Sequence, residues 1–321
     1  MGRSIAADLR QRLRAAAVVS RLSATVGYNV ASVLLGVGLG IRVGGVPRAP
    51  TLWAAAGYAA ATMFAKLQAS VADAIHDRAA DATNPEKNVI AAAVMRLGLR
   101  QAWLLLGGYF VAALVLYTVV AAGTGGWVLA AGMAVIVLGF TYSYPPRFKE
   151  RGVLNHVITT GVDAGLLVLP VATLVGGRLA PTIIVAIGVV ACYSFGYHVL
   201  HQAADVYFDR QAGIETFATD VGIETAVAVG AIATGAAAGF AFALGYMLAA
   251  VVLGGVTAFY VSLFYSIQEL GPEAATTELT RRFSIAWVAT LSNGALAAAV
   301  WRRVLGKPVV RAVGVAVSAL V

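Results

Sequence analysis

Charge and cysteine are what this 321-residue chain has least of. Charged residues make up 12% of it, against 60% hydrophobic. That share is about half of the usual quarter, so an ordinary soluble domain is excluded and a polytopic membrane protein remains. The single cysteine, Cys192, excludes an internal disulfide and reads as a buried, inert thiol because it lies in an apolar run. Negative charge is also short. Lys and Arg outnumber Asp and Glu 23 to 15, giving a net charge of +8. Such an excess can mark a nucleic-acid binder, but these basic residues sit at the ends of apolar runs. Anionic lipid headgroups are therefore the expected partner, with no nucleic acid.

What is present is a series of apolar runs long enough to cross a bilayer. Nine are read, at roughly 19–41, 51–73, 101–122, 127–144, 153–176, 180–203, 223–247, 249–268 and 283–301. They predict an all-α membrane bundle of nine transmembrane helices around a central cavity, one domain over residues 1–321. Residues 1–16 are Arg-rich and amphipathic, and the run after them has the length of a span, so no cleavable signal is expected. The tail from about 309 to 321 is apolar but too short to cross; it is expected in the interface or capping the bundle. Placing the N-terminus in the cytoplasm puts most of the basic residues on that side, among them Arg3, Arg10, Arg12, Arg14 and Arg21. The basic C-terminus, with Arg302 and Arg303, argues mildly the other way.

The remaining carboxylates are patterned. Asp73, Asp77 and Asp81 are spaced i, i+4, i+8 at the end of the second run, so a helix places them on one face. Unpartnered, they repel one another and are expensive to desolvate; a divalent cation relieves both, and oxygen ligands suit Mg²⁺. The pattern returns 132 residues downstream, 73 to 205 and 77 to 209, with Asp-Arg at both 77–78 and 209–210. This repeat divides the chain into two pseudo-repeated halves, about 1–150 and 151–321, facing one polar site. On the same predicted side lies TYSYPPRFKERG, residues 141–152, where Pro145 and Pro146 end the fourth run. Its Tyr142, Tyr144, Arg147 and Lys149 combine cations with aromatics beside the acidic motifs, as a diphosphate site requires. The plain alternative is that Arg147, Lys149 and Arg151 only set orientation. Gly36, Gly38 and Gly40 mimic a nucleotide loop, but no strand precedes them, so they are read as packing positions; Gly235 and Gly239 form a small-xxx-small pair with the same meaning.

Together these residues make the chain resemble the UbiA superfamily of intramembrane prenyltransferases. That family carries an NDxxDxxxD motif after its second helix, often followed by Asn-Pro-x-Lys/Arg. Here DAIHDRAAD is followed by Asn84-Pro85-Glu86-Lys87. The family's second motif, DxxxDxxxGxxT, is matched by Asp205, Asp209, Gly213 and Thr216. The YSxPPxxxK segment is similar to the branch of chlorophyll synthases and lycopene elongases. Two positions depart: Asp73 stands where the family usually has Asn, and Ala74 where it usually has Asp.

The resemblance implies a fold of nine helices and Mg²⁺ held by Asp73, Asp77, Asp81, Asp205 and Asp209. It implies a prenyl diphosphate substrate, and Lys149 and Arg147 on the diphosphate as the C1–O bond breaks. Asn84, Lys87, Arg78, Arg210, Tyr197 and Tyr207 are further candidates for substrate contact. Tyr142, Tyr144, Tyr193, Tyr197 and Tyr207 are candidates for shelter of an allylic cation, or are ordinary interfacial aromatics. His198 and His201 are candidate bases, with His198 expected to share a helix face with Asp205; a plain interhelical hydrogen bond is the alternative. Asp163 and Asn293, at depth in the fifth and ninth runs, are expected to face the bundle interior. The implied reaction is transfer to a lipophilic acceptor at the cytoplasmic face of the cell membrane. Intramolecular cyclisation is the runner-up. A transporter is the distant third, because the acidic residues sit at span ends rather than at mid-membrane.

Overall fold

The computed structural model describes residues 5–84 and 87–306, so the apolar tail lies outside the described residues. Among those residues the secondary structure is entirely helical. In chain order the helices are α1 (Ile5–Val19), α2 (Leu22–Gly44), α3 (Ala49–Thr83), α4 (Asn88–Leu97), α5 (Leu99–Thr124) and α6 (Gly126–Thr141). A 3₁₀ turn at Phe148–Glu150 leads to α7 (Val153–Thr160), a π-helical stretch at Gly161–Val168 and α8 (Leu169–Gly176), which run on as one element. Then come α9 (Pro181–Ala203), α10 (Val206–Gln211), α11 (Phe217–Val221), α12 (Ile223–Ala243), α13 (Met247–Ile267), α14 (Pro272–Arg282) and α15 (Ile285–Leu305).

Proline opens α3, α9 and α14, where its missing N–H is no loss and its fixed φ suits the first turn. Gly98, at φ 87°, separates α4 from α5 with a backbone conformation that an L side chain resists.

Each of the nine apolar runs falls on a helix, but fewer than nine of these helices are both long and apolar enough to span. Six qualify: α2, α5, the continuous Val153–Gly176 element, α9, α12 and α13. The pair α14–α15, bent by 47°, counts as a seventh when taken as one span. α6 has only 16 residues, or ~24 Å of rise, short of a ~30 Å hydrocarbon core. α3 has ample length at 35 residues but carries Lys66, Gln68, Ser70 and Asp73 along its inner part.

Three apolar cores hold the bundle. The largest joins α9, α12, α13 and α15 through Tyr193, Leu200, Leu253, Tyr260 and Leu296. A second joins α3, α5, α6 and α8 around Tyr58 and Tyr117. A third seats α1 and α4 against α3 and α5, through Val19, Ile75 and Val94. The glycines of α2 are packing positions. A Cβ on Gly36 would lie 2.8 Å from Val171 Cγ1, and one on Gly40 2.5 Å from Val175 Cβ, both on α8. In α12 the close seat differs from the sequence expectation: Gly239 has nothing within 4 Å, whereas a Cβ on Gly230 would collide with Leu200. Gly40→Val is accordingly expected to destabilise the protein by about 1–3 kcal/mol through overpacking. Gly239→Val should leave it unchanged. Thermal unfolding in detergent checks the pair, and equal Tm values would remove the packing argument.

Candidate active site

The first acidic motif sits at the end of α3, where the helix outruns its apolar part. Asp73 accepts from Ser143 Oγ at 2.7 Å and from Arg21 Nη2 at 2.7 Å, with Lys149 Nζ 3.5 Å away. Lys149 also bonds both oxygens of Asp77, at 2.5 Å to Oδ2. It reaches them because the Pro145-Pro146 turn folds back until the Lys149 N–H donates to the Tyr142 carbonyl at 3.0 Å. The unusual carboxylate at position 73 is thus matched by two cations. Ala74 is fully buried among apolar side chains of the third core, where a carboxylate would have no partner.

The second motif begins past the end of α9. Asp205 is the N-cap residue of α10, and its side chain pairs with Lys87 at 3.0 Å. Burial alone would lower the Lys87 pKa, but Asp205 and Asp209 hold it above its usual value. Among the described residues Asp209 has no such cation bonded to it. Burial, and then the neighbouring Asp205, push its carboxyl up to about 7. Gly213 turns the chain at φ 67°, and Thr216 closes a capping box with Thr219 at the start of α11. Both residues of the family motif therefore have a local backbone task.

These groups line a polar cavity of about 90 Å³, bounded by Asp73, Asp77, Asp205, Asp209, Lys87 and Lys149. A second cavity of about 230 Å³ extends from it into the bundle, past Tyr28, Lys66, Leu138, Val162, Asp163 and Tyr197. Arg21, Asp73, Tyr142, Thr159, His198 and His201 line both and so mark their junction.

Several residues expected at the site lie elsewhere. Arg147 stands at φ 57° and pairs with Glu150 beside a separate shallow depression. Arg78 donates to the Ile75 carbonyl of its own helix, and Arg210 to the Thr219 carbonyl. Tyr207 and Arg210 border an open outer groove that shares no residue with the polar cavity. Tyr144 stacks on Phe140 and meets His76 and Trp103 edge-on or tilted, away from both cavities. Tyr193 is buried and bonds Asn293. Asn84 is buried as the C-cap of α3. Asp81 is buried and does not line either cavity; burial pushes it up to about 6, and its Oδ2 has no hydrogen-bond partner among the described residues. His198 bonds Asp163 rather than sharing a face with Asp205, because α9 stops at Ala203. Arg21 and Lys66 were not singled out by the sequence. Arg21 resembles an orientation charge and Lys66 a lone charge inside an apolar run until their carboxylate partners, Asp73 and Asp163, arrive from other helices.

Among the described residues no three His, Cys, Asp or Glu side chains close on one point as a preformed metal site. The cations account for this: Lys149 lies between Asp73 and Asp77, and Lys87 occupies Asp205.

The fold defines an integral membrane protein in which two acidic motifs meet at one end of a helical bundle. The sequence pattern of the UbiA prenyltransferase family matches residues 29–288, and the chain belongs to that family. A lycopene elongase/hydratase of Halobacterium salinarum is 38% identical over 99 residues. That stretch is 30% of this chain and spans about a third, 34%, of the relative's length. A UbiA homologue from Archaeoglobus fulgidus, solved with GPP and Mg²⁺, is similar in fold at a TM-score of 0.59 and 17% identity, covering 88% of this chain and 99% of that one. The apo structure of a UbiA homologue from Aeropyrum pernix K1 gives a TM-score of 0.61 at 18% identity, covering 85% and 97%.

Proposed function

We propose that this chain is a Mg²⁺-dependent intramembrane enzyme that ionises a prenyl diphosphate and transfers the prenyl group to a lipophilic acceptor. The observation that carries the reading is the junction of a charged cavity holding both acidic motifs with a less polar one running into the bundle. A diphosphate ester has that same division, a charged head and a hydrocarbon tail. The residues fit a hard cation: four carboxylates border one cavity, and buried Asp81 and half-buried Asp209 have no bonded counter-charge among the described residues. Asp73, Asp77, Asp205 and Asp209 would hold it, with Asp81 behind them. When bound, Mg²⁺ neutralises the charge that builds on the leaving diphosphate. Lys149 and Lys87 then exchange carboxylate partners for phosphate oxygens, and Arg21 does the same at the junction. Tyr142 and Tyr197 present aromatic faces along the path of the departing prenyl cation.

The relatives support the substrate class, since an Archaeoglobus fulgidus homologue was solved with GPP and another structure of it with DMAPP. The partial relative acting on lycopene supports a polyene acceptor. The positive-inside count supports a site facing the cytoplasm, and the 132-residue offset supports two pseudo-repeated halves within one domain.

Purified protein incubated with Mg²⁺ and C10 to C25 prenyl diphosphates should release diphosphate and couple the prenyl group once a polyene or aromatic acceptor is supplied. Cyclised product formed without acceptor would replace transfer by cyclisation, and no release with any diphosphate would end the reading.

A further inference from the structure

Asp163 stands on the π-helical stretch Gly161–Val168, deep in the bundle. Such insertions recur at functional sites. Its carboxylate is fully engaged. Oδ1 accepts from Lys66 Nζ at 2.5 Å, and Oδ2 from Tyr197 OH at 2.7 Å, Ser194 Oγ at 3.1 Å and His198 Nε2 at 3.1 Å. Lys66 donates onward to Asn29 Oδ1 at 2.7 Å. An ion pair in the interior of a membrane bundle calls for a functional reading. Asp163 itself is a poor base, because Lys66 neutralises it and every donor around it is already committed.

The group it serves is His198. A carboxylate only accepts, so His198 Nε2 carries a proton, and in the neutral ring Nδ1 keeps its lone pair. Among the described residues Nδ1 has no hydrogen-bond partner. His198 also lines both cavities, at the junction where C1 of a prenyl diphosphate must lie if its head and tail occupy the two chambers. His201 lines the same junction, but no hydrogen bond fixes its ring among the described residues. His156 is bonded to Gln202 and borders only the polar chamber.

We propose that His198 Nδ1 is the base that ends the reaction, with Asp163 and Lys66 as positioning residues that fix its tautomer; this rests on the prenyl-transfer reading above. The C1–O bond breaks and its electron pair leaves with the diphosphate. The π pair of an acceptor double bond then forms the new C–C bond to C1, leaving a cation on the next acceptor carbon. A C–H bond adjacent to that cation gives its proton to Nδ1, and its electron pair closes a new double bond. The proton lost is within a few bonds of C1, so a base at the junction is in place. The resulting imidazolium lies against Asp163, and the released diphosphate or solvent takes up the proton.

The test follows diphosphate release and organic products together, in detergent with Mg²⁺, prenyl diphosphate and a polyene acceptor. His198→Ala is expected to keep release within about 3-fold of wild type while the coupled alkene falls by about 10²-fold, the usual contribution of a general base. Water then captures the cation, and alcohol appears in place of alkene. Added imidazole should restore part of the alkene, which a purely structural role would not allow. Lys66→Met combined with Asp163→Asn keeps the wall neutral while removing the carboxylate; it should lower the alkene yield by more than it lowers diphosphate release. Should His198→Ala fail to fold, His198→Gln retains a donor for Asp163 without a base and gives the same readout. An unchanged ratio of alkene to diphosphate, or release and alkene falling in parallel, overturns the proposal. Wild-type protein that releases no diphosphate sinks the prenyl-transfer reading and this one with it; wild-type turnover with unaltered partitioning in the variants sinks this one alone.

Discussion

Asp77→Ala and Asp209→Ala are each expected to abolish diphosphate release, by more than the ~10²-fold loss typical of removing a single electrostatic donor. On the proposed reading each substitution takes an oxygen ligand from a different acidic motif, and the two motifs line one cavity. Their effects on stability should differ. Asp77 is bonded by Lys149, and its removal leaves that buried ammonium with Asp73 alone at 3.5 Å. Asp209 is half-buried and has no bonded cation among the described residues, so its removal relieves part of a desolvation penalty and the repulsion from Asp205. Thermal unfolding in detergent should therefore give a lower Tm for Asp77→Ala and an unchanged or higher one for Asp209→Ala, with both proteins inactive. Near-normal turnover of either variant in saturating Mg²⁺ removes its motif from the metal site.

The second large effect concerns Lys149. Its ammonium bridges Asp73 and Asp77, and only a change of partner brings it to a phosphate oxygen. Its charge should matter most as the leaving group gains charge. Lys149→Ala is expected to lower kcat/KM by about 10- to 150-fold, equivalent to about 1.5–3 kcal/mol for a charge-assisted contact. Lys149→Arg should recover part of this, since the charge is kept and the point geometry is not. The alanine variant also leaves the acidic pair less neutralised, so the Mg²⁺ concentration giving half-maximal activity should fall while kcat falls too. Diphosphate release measured across Mg²⁺ concentrations separates these effects. An unchanged kcat/KM would leave Lys149 as an orientation charge only.

Much of the scaffold could be read from hydropathy, because a lipid-facing helix is written in a continuous apolar run. The runs at 101–122 and 180–203 differ from α5 and α9 by at most two residues at either end. The metal-binding candidates were legible because i, i+4 spacing forces carboxylates together on any helix. That logic fails where a helix stops. His198 and Asp205 are seven apart, but α9 ends at Ala203 and the face does not continue. It fails again at Arg147, whose left-handed backbone returns its side chain to Glu150. Partners from distant helices had no local signal. Arg21 meets Asp73, 52 positions away, and Lys66 meets Asp163, 97 positions away. A lone Lys inside an apolar stretch was the available clue, since such a charge implies a buried counter-ion.

The lysines seated on the acidic motifs separate two events that are often one in metalloproteins. Where ligands have no protein counter-charge, the ion's binding free energy is part of the folding free energy, and a chelator denatures the protein. Here Arg21, Lys87 and Lys149 already screen Asp73, Asp77 and Asp205 from one another. The bundle can therefore assemble and insert before any ion arrives. On the proposed reading, loading would then be an exchange of counter-ions rather than a step of folding.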